Sequence, residues 1–293
     1  MIFLPFLLPP IITGLSLLVY FREIGFGRGL IAVIVGHSIF VLALVFIALY
    51  LPIFIVVLMS FFRLRRGRIQ WDSFSFDWYA DLFENRQIIE ALGNTLIVGF
   101  FAVLIALVIA TLLAFHVHRY QSRTSAGLQF VIFLPFLLPP IITGLSLLVY
   151  FREIGFGRGL IAVIVGHSIF VLALVYRTIL NRLQTLSRSL IEASQDLGAT
   201  RWQTFRYILL PHLRMAFVTA ALLAFALSFD ETIITLFLVG DTSTLPIRLY
   251  AMMRVGFTPE INALVTLILL FSAGMTLIVA RFIGSSEGQL NLK

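Results

Sequence analysis

The chain has 293 residues, 60% of them hydrophobic and only 12% charged, with a mean hydropathy of +1.04. A soluble domain carries about 25% charged residues, and several apolar runs here approach the ~20 residues that carry a helix across a bilayer, so a soluble globular fold is excluded. The net charge of +7 comes from twenty arginines and Lys293; with no basic, aromatic-interleaved patch outside the apolar runs, it points to anionic membrane lipid and not to nucleic acid.

The apolar runs are continuous, which sets aside a β-barrel of alternating segments and predicts an all-α polytopic membrane protein. There is no cysteine, so disulfides are excluded. The first residues lack a basic n-region and an A-x-A site, so they are expected to form a retained span and not a cleaved signal.

In chain order, the first feature is a copy. Residues 2–45 and 132–175 are identical at all 44 positions, 130 residues apart. Internal repeats in transporters are usually weak resemblances; perfect identity points to a recent tandem duplication or an error of gene assembly. The copy fits poorly. Residues 29–62 become one apolar run with no loop at the join, too long for one span and without a turn to make two; a tilt or a kink at Pro52 absorbs part of the excess. We therefore read residues 1–45 as a duplicate and 46–293 as the working domain. Deleting residues 2–36 is expected to leave assembly and uptake intact, and loss of uptake in that deletion would refute the reading.

Six spans follow, at about residues 45–62, 89–115, 128–150, 160–175, 213–239 and 261–283, each helical because a bilayer offers its backbone no water. The run "RLRRGR" at 63–68 reads as headgroup anchoring after the first span. Pro135, Pro139 and Pro140 are expected to kink the third span, and His167 in the fourth reads as a hydrogen-bonded packing residue. Within 46–293, Arg and Lys divide ten against nine between the two faces, a slight lean for the 176–207 side as cytoplasmic. With the first core span leaving the cytoplasm, the copy's loop at 21–29 would lie inside.

The loop at 176–212 is the most explicit segment. Ser189 with Glu192 has the spacing of a capping box, and so does Thr200 with Gln203. Leu183, Leu186, Leu190, Ala193 and Leu197 recur at three- and four-residue steps, a predicted apolar stripe. Gly198 permits the left-handed residue that ends a helix, and Pro211 suits the first turn of the next span. The expected pattern is helix, glycine corner, helix, between two spans; such an arm lies on lipid headgroups or on a partner protein.

Glu192, Ala193, Ser194, Gly198, Ile208, Leu210 and Pro211 match the signature E-A-A, three residues, G, nine residues, I-x-L-P, with Ser194 in place of the second alanine. In these positions the chain resembles permease subunits of bacterial ATP-binding cassette importers. Residues 228–270, with "SFDETIITLF", and the segment "SFSFDWYADLF" are similar to the polyamine (spermidine/putrescine) type; related permeases for other small charged solutes share much of this. The resemblance implies a cytoplasmic arm that couples to separate ATPase subunits, a second similar or identical permease subunit, an extracytoplasmic solute-binding protein and an inner-membrane location.

No P-loop G-x-x-x-x-G-K-[ST] is present, since the only lysine is Lys293. ATP and Mg²⁺ are accordingly expected on the partner ATPase, with no cofactor, metal site or catalytic residue in this chain. Asp230 and Glu231, near the end of the fifth span, either line the solute path or mark the outer interface, because an acid at membrane depth faces a cavity or a partner. Asn94, Thr95 and Thr143 are candidates for the path or for helix packing. A stand-alone secondary transporter or channel is the alternative, with Asp230 and Glu231 its only candidates for ion coupling; a non-transporting scaffold is the third reading. Whether uptake follows ATP or an ion gradient separates the first two.

Overall fold

The computed structural model describes residues 30–65, 68–120, 123–256 and 259–288. The chain divides into two compact units, Met1–Ser75 and Phe76–Lys293. The duplicate's loop at 21–29 lies outside the described residues.

In the first unit, α1 (Leu30–Met59) is one helix of 30 residues that continues through Pro52. At 1.5 Å per residue it is about 45 Å long. The apolar run therefore resolves as a single over-long helix. Residues 37–59, which remain after the deletion above, would still reach about 35 Å, more than the ~30 Å hydrocarbon core.

The copied sequence separates helicity from burial. Leu30 and its twin Leu160 each begin a helix. Yet Val41 is 53% exposed where Val171 is fully buried, and Val45 is half exposed where Val175 is fully buried. The same residues are helical in both places, but among the described residues only those of α6 belong to a buried cluster.

After α1 the chain forms an antiparallel ribbon, β1 (Arg63–Arg65) and β2 (Arg68–Gln70), with Leu64 opposite Ile69. The reading of "RLRRGR" as headgroup anchoring concerns its side chains and makes no statement about this backbone pairing. Ser73 pins the ribbon: its Oγ accepts from the Arg63 N–H at 3.0 Å and donates to the Gln70 carbonyl at 2.6 Å. Phe61 stacks on Phe74 and Phe62 meets Trp71 edge-on, an aromatic group suited to a membrane–water interface.

The second unit contains α2 (Asp77–Glu84), α3 (Arg86–Arg119), α4 (Arg123–Leu137), α5 (Pro140–Glu153), α6 (Leu160–Gln184), α7 (Arg188–Asp196), α8 (Arg201–Thr204), α9 (Leu210–Asp230), α10 (Ile233–Leu238), α11 (Leu245–Val255) and α12 (Pro259–Gly288). Its core is the bundle of α3, α6 and α9. Ala102, Ala106, Ala110 and Ala114 recur every fourth residue on α3, and Ala216, Ala220 and Ala224 do so on α9; all are buried. In lipid there is no hydrophobic gain from helix association, so close backbone approach along stripes of small residues supplies the contact. Val171, Val175 and Ile179 of α6 pack into the same cluster.

Three expected spans differ from the structure. The third is two helices, α4 and α5, set at 105°. Pro139 has no N–H for the Pro135 carbonyl; Thr143 Oγ1 donates to that carbonyl instead, at 3.3 Å. Pro140 then occupies the first turn of α5, where its missing donor costs nothing. The fourth extends to Gln184, because Tyr176, Ile179, Leu180 and Leu183 continue its buried face beyond Val175. The fifth stops at Asp230 and resumes as the six-residue α10. Among the described residues, α1, α3, α6, the α8–α9 run and α12 are long and apolar enough to cross a membrane, and the bent α4–α5 pair, counted as one span, makes six.

Candidate functional site

The predicted corner forms, with corrections at its start. Ser187, not Ser189, caps α7: its Oγ accepts from the Ser189 N–H at 3.3 Å. Ser189 sits inside the first turn, so the Ser189–Glu192 box does not form and Glu192 is exposed. Leu183 belongs to α6 and is buried, whereas Leu190 and Ala193 of α7 and Leu197, just past its C-terminal end, are exposed, Leu197 at 89%. The predicted stripe is thus two surfaces: a core contact on α6 and an outward apolar row on α7.

Gly198 adopts φ +81°, in the left-handed region that favours glycine. The Ala199 N–H donates to the Ser194 carbonyl at 3.0 Å and the Gly198 N–H to the Gln195 carbonyl at 2.9 Å, the paired bonds of a Schellman end. Beyond it the Thr200–Gln203 box forms as expected: the Gln203 N–H donates to Thr200 Oγ1 at 3.3 Å, and the Thr200 N–H to Gln203 Oε1 at 2.7 Å.

Pro211 lies in the first turn of α9, as expected, and the helical path runs into it without a break. One π turn, Phe205–Leu209, joins α8 to α9, and the Leu210 N–H donates to the Phe205 carbonyl. Pro211 brings no N–H and would crowd the carbonyl four residues back; the wider turn just before it makes room. Ile208 and Leu210 are half-buried and Pro211 is exposed.

Ser194, the departure from the signature, is buried and works across the corner. Its Oγ donates to the Ile191 carbonyl at 2.9 Å and lies 2.8 Å from the buried Thr204 hydroxyl. With the Ser194 hydrogen on Ile191, the Thr204 hydroxyl donates to Ser194 Oγ, and Thr204 Oγ1 stands 3.2 Å from the Thr200 carbonyl. An alanine would leave this link out. Between the corner and the C-terminal end of α3 is an open cleft of about 570 Å³, with Glu192, Gln195 and Arg201 on one side and His116 and Arg119 on the other. The arm therefore presents Glu192, Ala193 and Leu197 outward from a corner fixed by backbone and hydroxyl bonds.

At the other candidate site, α9 ends at Asp230, which is exposed. Glu231 caps α10: its Oε1 accepts from the Ile233 N–H at 2.8 Å and the Ile234 N–H at 3.0 Å. Both acids line a cavity of about 380 Å³ between α9 and α12, walled by Phe170, Phe229 and Phe271 with Ser272 and Thr276. Carboxylates beside aromatic faces suit an organic cation, which both attract.

Asn94 and Thr143 do not line that cavity. Asn94 Nδ2 donates to the Ser243 carbonyl at 2.9 Å, and Thr143 bridges the α4–α5 break. Thr95 Oγ1 accepts from the Leu245 N–H at 2.8 Å, which ties the start of α11 to α3. His167 is a hydrogen-bonded residue as expected, and its partners are Ser228 and Thr235, each at 2.8 Å. Sequence reasoning missed these partners and the Ser194–Thr204 link. The His167 bonds join residues 61 and 68 positions apart, for which local spacing carries no signal.

The sequence profile of the family described as "Binding-protein-dependent transport system inner membrane component" matches residues 102–287. The spermidine/putrescine transport system permease protein PotC of Haemophilus influenzae is 33% identical over 235 residues, 80% of this chain and 91% of that protein. The putrescine transport system permease protein PotI of Escherichia coli is 37% identical over 237 residues, 78% and 84% of the two chains. Among solved structures, a bacterial ABC transporter involved in alginate import matches with a TM-score of 0.66 at 17% identity, covering 87% of this chain and 98% of that one. The inward-facing MetNI methionine ABC transporter matches with a TM-score of 0.56 at 23% identity, covering 68% and 94%. At these identities the two structures speak for the fold alone. The helical core, the glycine corner and the extent of the sequence match agree: the chain belongs to the family of inner-membrane components of binding-protein-dependent transport systems.

Proposed function

We propose that this chain is the permease subunit of an ATP-driven importer and forms the path for a polyamine or a related small organic cation. The observation that carries the reading is the exposed arm Arg188–Asp196 ending at Gly198, with Glu192, Ala193 and Leu197 turned outward. Partner ATPase subunits bind ATP and Mg²⁺ and grip this arm; Ser194 ties it to Thr204 of α8, which runs on through Ile208, Leu210 and Pro211 into α9. Closure of the ATPases moves the arm, and α9 carries the motion to the Asp230 end. A second permease subunit, similar or identical, completes the path, and an extracytoplasmic solute-binding protein delivers the solute. Asp230 and Glu231 attract the cation; Asn94 and Thr143 hold neighbouring backbone in place. The names of the 33–37% identical relatives support a polyamine as the solute.

The test is uptake of labelled putrescine and spermidine into proteoliposomes containing the whole complex, with Asp230→Asn and Glu231→Gln introduced together. Uptake is expected to fall at least tenfold, about 1.4 kcal/mol of lost attraction, and to require ATP. Uptake driven by an ion gradient without ATP would favour a stand-alone transporter. Undiminished uptake in the double variant would remove the two acids from the path.

A further inference from the structure

The break between α9 and α10 is bridged from outside by a single side chain. Ser228 lies in the last turn of α9 and Thr235 in the first turn of α10. His167 of α6, itself buried, reaches both: Nδ1 is 2.8 Å from Ser228 Oγ, and Nε2 is 2.8 Å from Thr235 Oγ1.

Thr235 Oγ1 also lies 2.8 Å from the Glu231 carbonyl. With the Thr235 hydrogen on that carbonyl, Nε2 donates to Thr235 and Nδ1 accepts from Ser228; in the other tautomer both His167 bonds reverse. In either tautomer the contacts run from Ser228 through His167 and Thr235 to the backbone of Glu231. The residues bracketed by this chain, Asp230 and Glu231, are the acids that line the cavity.

We infer that His167 is a positioning residue for transport: it clasps the two sides of the α9–α10 break and so fixes where Asp230 and Glu231 stand relative to the solute. The transport part of this inference rests on the reading of those acids as part of the path; the clasp itself does not. Leucine at position 167 fills similar space, and Thr235 keeps its bond to Glu231, so the fold survives while the link between α6, α9 and α10 is lost. Glutamine carries an amide donor near the position of Nε2 and restores the Thr235 half of the clasp.

Since the chain has no cysteine, spin labels can be placed at Val218→Cys on α9 and Leu236→Cys on α10, both at exposed positions. Pulsed EPR on the purified complex should give a narrow distance distribution with His167, a broadened or shifted one with His167→Leu, and a recovered one with His167→Gln. In proteoliposomes loaded with ATP, His167→Leu should keep basal ATPase within about twofold but lower putrescine imported per ATP at least fivefold. His167→Gln should recover most of that ratio. Unchanged distance and unchanged ratio in His167→Leu overturn the inference. A parallel loss of complex yield, ATPase and uptake in both variants also overturns it, in favour of packing alone. If Asp230→Asn with Glu231→Gln leaves uptake intact while His167→Leu still shifts the distance, the solute-path reading fails and the clasp stands.

Discussion

Gly198→Pro is expected to abolish stable association with the ATPase subunits while membrane insertion stays normal. The residue holds φ +81°, and a proline ring fixes φ near −65°, so the left-handed corner cannot form around it. Proline also removes the N–H that donates to the Gln195 carbonyl at 2.9 Å. The two effects together cost about 3 kcal/mol or more at this corner, enough to redirect everything between Gly198 and α9. Nothing lies within 4 Å of a Cβ built at Gly198, so the loss comes from backbone geometry and not from collision. Gly198→Ala, which pays only the left-handed penalty of about 1 kcal/mol, should weaken association without abolishing it. Glu192→Arg tests the outward face separately: the side chain is exposed, so reversing its charge leaves the arm folded and alters only what the partner meets. Co-purification of the ATPase with each variant, against an insertion control, gives the order Gly198→Pro weakest, Gly198→Ala intermediate. Full association of Gly198→Pro would rule out the arm as the grip.

What the sequence revealed were features governed by neighbours along the chain. The Thr200–Gln203 box, the left-handed Gly198 and the helix beginning at Leu160 each depend on residues within one or two turns. What it concealed depends on what lies across the molecule. The fifth span reads as continuous from 213 to 239, since Asp230–Thr232 is short and flanked by apolar residues. It breaks because Glu231 caps α10 and His167 holds both sides. The Leu183–Leu197 stripe has a correct helical period but falls on two helices, because the turn at Thr185–Ser187 leaves the spacing almost in phase. Ser194 reads as a tolerated departure until its hydroxyl is placed against Thr204. The duplicate shows the same division: 44 identical residues include one helical start in both places, but no local rule states that Val171 is buried and Val41 is not.

Gly144→Val is expected to lower the thermal stability of the complex and to eliminate uptake, through α10. A Cβ at Gly144 would stand 2.8 Å from Phe237 Cδ2 and 3.2 Å from Ile234 Cα. The ring can turn away; the Cα moves only if α10 moves. That helix has six residues, with Ile234 and Leu238 buried against Phe151, Ala162 and Val163, so it has little slack. Overpacking of this kind costs about 1–3 kcal/mol, and for a chain of this size each kcal/mol lowers Tm by roughly 2–4 °C. A drop of about 2–12 °C is therefore expected, measured on the detergent-purified complex. Uptake should fall further than stability alone requires, since displacing α10 moves the Glu231 cap and the Thr235 end of the His167 clasp together. Gly166→Ala is the comparison on the opposite wall. Its Cβ would meet Leu238 Cδ1 at 2.6 Å, a side-chain end that yields by rotation, and Ile234 Cγ2 at 3.0 Å, a branch methyl that has to give by only a few tenths of an ångström. It should lose less stability and keep most of its uptake. If the two variants came out in the reverse order, α10 would not be held at its backbone by α5, and control of the Asp230–Glu231 break would have to be sought on the α6 side alone.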